Sequence, residues 1–68
     1  MINETELIET MARYILAYDM KMKLIPAIIE AAKMLNDTRK DNDEPDIKAI
    51  KEELESKYKW EFKFQEGE

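Results

Sequence analysis

The chain has 68 residues, with sixteen acidic against eleven basic side chains and a net charge of −5. At that length it makes one domain at most and is short of core, so self-association is expected to add stability. It holds no cysteine and no histidine, which excludes a disulfide framework and a thiolate metal site and leaves a cytoplasmic location as the default expectation.

Asn3 reads as a helix N-cap, with Glu6 three residues on as in a capping box and Ile2 able to staple onto Leu7. Glu4 and Glu6 suit the positive end of the helix dipole. Leu7, Met11, Tyr14, Ile15 and Tyr18 then recur at helical spacing, widened by Ile8, Ala12 and Leu16, so the first helix is expected to run to about Ala17.

From Tyr18 to Leu24 the pattern changes to strict alternation, with Tyr18, Met20, Met22 and Leu24 on one side and Asp19, Lys21 and Lys23 on the other. That period of two predicts a strand. Pro26 forbids a continuous helix through this point and can open a second one, Pro26 to about Asn36, with Ile25, Ile28, Ile29, Ala32 and Leu35 turned inward. The stretch 36–44 is polar and charged and reads as a solvated connection. Pro45 can start a third helix, with Asp46 in its first turn and Ile47, Ile50, Leu54 and Tyr58 along its buried edge.

Tyr58, Trp60, Phe62 and Phe64 alternate with Lys59, Glu61 and Lys63, which predicts a second strand. Paired antiparallel with the first, it would set Met20 opposite Phe62 and Met22 opposite Trp60. The expected fold class is therefore α+β: a single domain over 1–64, ordered helix-strand-helix-helix-strand, whose two-stranded antiparallel sheet packs on the helices. Residues 65–68 are read as a disordered acidic tail.

Catalytic equipment is thin. One serine, Ser56, no histidine and a single glycine, Gly67, argue against nucleophilic chemistry and a glycine-rich phosphate loop, so no enzyme activity and no cofactor are expected. Asp41, Asn42 and Asp43 with Glu52 approach the spacing of a calcium loop. Pro45 and Asp46 then occupy the positions where such a loop needs a ligand and a glycine, so no metal site is assigned. The longest apolar-rich stretch, broken by Pro26, Glu30 and Lys33, is too short to span a membrane, and the acidic N-terminus does not resemble a signal peptide.

These features favour a non-catalytic regulatory or inhibitory protein-binding module that meets a basic partner surface, with homo-oligomerisation expected. Its candidate contacts are Asp41, Asp43, Glu44, Asp46, Glu52, Glu53 and Glu55, together with the sheet edge carrying Trp60, Phe62 and Phe64. The rival is a dimeric ribbon-type nucleic-acid binder that uses Lys21, Lys23, Lys59 and Lys63 on the outer sheet face. Net acidity weighs against nucleic acid. A purely structural homo-oligomer is the third reading.

Overall fold

A computed structural model describes residues 3–58. Over them the chain forms three helices, α1 (Glu4–Tyr18), α2 (Leu24–Asp37) and α3 (Ile47–Tyr58), and no strand. The fold is all-helical, with 73% of these residues in helix, which overturns the α+β class and its two-stranded sheet.

α1 starts where the sequence places it. Asn3 is extended, and its Oδ1 accepts the Glu6 amide at 3.2 Å, while Glu4 and Glu6 occupy the first turn. The helix reaches Tyr18, and the Asp19 amide still donates to the Ile15 carbonyl at 2.8 Å.

The expected strand Tyr18 to Leu24 is a tight turn between two helices. Tyr18 ends α1, Leu24 opens α2, and Asp19 folds the residues between: its carbonyl accepts the Met22 amide at 3.1 Å and its Oδ1 accepts the Lys21 amide at 3.1 Å. Asp at the first turn position offers the chain local hydrogen bonds that compete with a ladder. Pro26 does not open α2 but sits third in it, where a missing amide costs little because the first-turn amides have no intrahelical acceptor. The proposed second strand begins at Tyr58, which is the last residue of α3; the rest of it, and the tail 65–68, lie outside the described residues.

Between α2 and α3 the chain is folded tightly on itself. Lys40 donates its amide to the Glu44 carbonyl at 2.8 Å and Asp43 donates to the Lys40 carbonyl at 2.9 Å, with Asp43 in the left-handed region at φ 65. A short polar side chain such as Asp tolerates that region better than a branched one. Asp46 then caps α3, its Oδ1 accepting the Ala49 amide at 3.1 Å, and Pro45 is buried beside it.

The core joins Leu7, Met11, Ala12 and Ile15 of α1 to Ala27, Ala31, Met34 and Leu35 of α2 and to Ile50 and Leu54 of α3. Each fully buried Leu, Ile or Met in such a cluster contributes about 1.5–3 kcal/mol. Tyr58 closes the end of α3 against α1, its ring edge-on to Tyr18 at 4.9 Å and to Tyr14 at 6.2 Å. Of the edges expected for α1 and α3, Leu7, Met11, Ala12, Ile15, Ile50 and Leu54 are buried, Ile8, Tyr14, Leu16, Ile47 and Tyr58 are half-buried, and Tyr18 is exposed. For α2 the expected face was misplaced: of its five residues only Leu35 is buried, and Ile25 and Ile29 are exposed.

Candidate functional site

α2 has more apolar circumference than the core can cover. Its inward side is built on Ala27, Ala31, Met34 and Leu35, while Leu24, Ile25 and Ile29 stay 57%, 70% and 51% exposed. Met20, in the turn before it, is 88% exposed. At about 100° per residue, Ile25 lies about 140° around the helix from Glu30. Glu30 marks the side that α3 occupies, since its Oε1 meets Lys57 Nζ at 3.5 Å. α3 therefore covers one flank of α2 and leaves the isoleucine flank to solvent. A contiguous apolar band of this kind on a small protein is a signature of an interaction surface.

Charge is separated along the bundle. One end collects the start of α1, the end of α2 and the connection to α3, and carries Glu4, Glu6, Asp37, Asp41, Asp43 and Glu44 against Arg39 and Lys40. The opposite end holds the 19–23 turn and the end of α3, with Lys21, Lys23 and Lys57 against Asp19 and Glu55. The apolar band runs from the basic end toward the acidic one.

Within the acidic end, Arg39 is the organising residue, and its side chain is only 22% exposed. Its Nη2 donates to Glu4 Oε1 at 2.7 Å and its Nη1 to Glu4 Oε2 at 3.4 Å, a two-pronged grip on the start of α1. Nη1 also donates to the Asp43 carbonyl at 3.0 Å and Nε to Asn36 Oδ1 at 3.1 Å. One guanidinium thus ties α1, α2 and the connection together, which its planar fork of donors suits better than an ammonium. The hydrogen bond from Arg39 holds the Glu4 carboxyl below its ordinary range, and the same bond pushes Arg39 further up. At the other end, burial raises the Tyr58 phenol, with the Glu30 carboxylate adding to it.

The candidate acidic residues fall into two groups. Asp43 faces Arg39 Nε at 3.7 Å and Asp46 is spent on the α3 cap, whereas Asp41 and Glu44 are exposed in the connection. Glu52 and Glu53 are exposed on α3, and Glu55 pairs with Lys51 at 3.9 Å. Lys48, Lys51 and Lys57 offset the three glutamates on that helix, so α3 presents a mixed surface and not an acidic one.

Lys21 and Lys23 are exposed in the turn, but there is no sheet face for them to share, which removes the ribbon geometry from the nucleic-acid reading. Lys59, Lys63, Trp60, Phe62 and Phe64 lie outside the described residues, and the sheet edge as a partner site falls with the sheet. Sequence reasoning missed both the isoleucine flank and Arg39. The signal for Arg39 was present, a lone arginine within an acidic stretch.

Among the described residues no group of three or more Asp or Glu side chains is placed to hold a metal ion, and no helix is long and apolar enough to cross a membrane. In comparisons with known proteins, the chain matches no family model, no curated protein and no solved structure.

Proposed function

We propose that the protein is a non-catalytic protein-binding module of regulatory or inhibitory type, whose contact surface is the isoleucine flank of α2. The exposed band of Met20, Leu24, Ile25 and Ile29 carries this reading, because apolar side chains of that size at adjoining positions gain stability only when another apolar surface covers them. The polar groups supply support from the other direction. Among the described residues no polar or charged side chain is buried, and those with shifted titration hold one another or line a helix end. Catalysis draws on desolvated, tuned groups gathered in a cleft. The acidic end acts at longer range, attracting basic groups of the bound surface over about 8 Å at physiological salt.

A photo-crosslinking amino acid placed at position 25, and in a separate variant at position 52, tests the site inside the native cell. Discrete protein adducts are expected from position 25 and not from position 52. Adducts from position 52 alone would move the contact surface to the α3 carboxylates, and none from either would end the reading.

A further inference from the structure

The isoleucine flank of α2 has the pattern of a helix-pairing seam. On the helix Ile25, Ile29, Ala32 and Asn36 follow one another at intervals of four, three and four, the spacing of a and d positions in a coiled coil, and Met22 stands in the turn three residues before Ile25. Ile25 and Ile29 are exposed along it, Met22 and Ala32 are half-buried, and Asn36 is exposed at its far end. The helix spans 14 residues, or about 21 Å at 1.5 Å per residue.

Its N-terminal end is electrostatically incomplete. α2 has no acidic residue in its first turn and no basic residue in its last, and its N-cap, Lys23, makes no side-chain capping bond. A lysine at the positive pole of a helix is misplaced with respect to its own dipole. The same lysine is well placed beside the negative pole of a second helix running the other way.

We infer that the occupant of this flank is a second copy of the chain, its α2 packed antiparallel on the first about a two-fold axis near Ile29. This rests on the reading of the flank as a contact surface and adds the identity and direction of the partner. Three features of the molecule favour it. Antiparallel pairing lays the basic end, Lys21 and Lys23, along the partner's acidic end at Asp37 and Asp41, twice over by symmetry, whereas parallel pairing would set acid against acid. It opposes the two helix dipoles and sets each lysine-bearing N-terminus beside the partner's α2 C-terminus. It also brings the bulk of Ile25 against the small Ala32 of the other copy, which lets the backbones approach closely. A seam of one short helix is at the small end of protein interfaces, so affinity in the micromolar range is expected.

Sedimentation equilibrium of the full chain, across a concentration series from low micromolar to several hundred micromolar, reads the outcome. The wild type is expected to be a reversible monomer–dimer system. Ile29→Glu should abolish the dimer while circular dichroism stays helical, because Ile29 is half exposed in the monomer. Lys21→Glu with Lys23→Glu should weaken the dimer at least tenfold at low salt, and adding Asp37→Lys with Asp41→Lys in the same chain should restore it. Restoration is specific to antiparallel pairing. A dimer indifferent to Ile29→Glu would overturn the proposal, and so would a chain that stays monomeric throughout. If the monomer's single tryptophan, Trp60, changes emission on Ile29→Glu, the chain's own 59–64 segment covers the flank instead. A monomer that still crosslinks from position 25 to a different protein would overturn self-pairing and leave the binding-module reading standing.

Discussion

α1 and α2 are nearly equal in length and both amphipathic, yet they place their bulk in opposite ways. α1 sends Leu7, Met11 and Ile15 to the core and keeps glutamates and an arginine outside. α2 meets the core with Ala27 and Ala31 beside Met34 and Leu35, and leaves Leu24, Ile25 and Ile29 in solvent. Where two helices pack, small residues on one side let the large residues of the other fill the interval, so a helix rich in apolar residues need not bury its largest. The difference separates a face that stabilises the fold from one that the fold leaves open within a single hairpin.

The largest expected effect tests that separation directly. Leu7→Ala or Ile15→Ala should cost about 2–5 kcal/mol, enough to leave a chain of this size substantially unfolded. Ile29→Ala, measured at a concentration where the chain is monomeric, should change stability by no more than about 0.5 kcal/mol. Urea unfolding followed by circular dichroism reads both, and comparable losses would erase the distinction between the helices.

Somewhat smaller is the cost of enlarging the alanine contact. Ala31→Leu should destabilise by about 1–3 kcal/mol through overpacking against α1. An unchanged unfolding midpoint would mean that the alanines do not set the spacing of the hairpin.

The helix starts differ in the same sense as the faces. Asn3→Ala at the capped start of α1 should cost about 1 kcal/mol, whereas Lys23→Asp at the uncapped start of α2 should stabilise the monomer by about 0.5–1 kcal/mol. Thermal melts of the two variants give the signs. In the self-paired chain Lys23→Asp should at the same time weaken association, so one substitution moves folding and pairing in opposite directions.

The smallest effect concerns pH. Glu4 has its carboxyl lowered in the folded chain by the Arg39 hydrogen bond. Its contribution is therefore fully present above the ordinary carboxylate range and is lost as pH falls through the lower, folded value. Glu4→Gln should lower the melting temperature slightly near neutrality and flatten that part of the acid decline, the two curves converging at low pH. An identical acid slope in wild type and variant would show that the exposed pair contributes nothing measurable.

Much of the helical scaffold was legible along the chain because its signals are local. Asn3 followed by Glu6 marks a start, the spacing of Leu7, Met11 and Ile15 marks a buried edge, and Ile50 with Leu54 marks another. The alternation at Tyr18 to Leu24 misled because period two over so few residues also arises where a helix end, a turn and a helix start abut. There, Asp19 satisfies the backbone locally before any second strand is needed. Arg39 was legible only as a charge: its distance in sequence from Glu4 gave no sign that α1 would return beside it.

By itself, then, the sequence determined where α1 begins, the residues of α1 and α3 that form the core, and that the acidic charge concentrates near the second connection. Capping, amphipathic spacing and charge runs all act within a few residues. Only the tertiary structure decided which side of α2 faces the core and which is left open. On a helix apolar around most of its circumference several stripes bury comparable area in isolation, and the choice falls to the shape of the surface that α1 and α3 present to it.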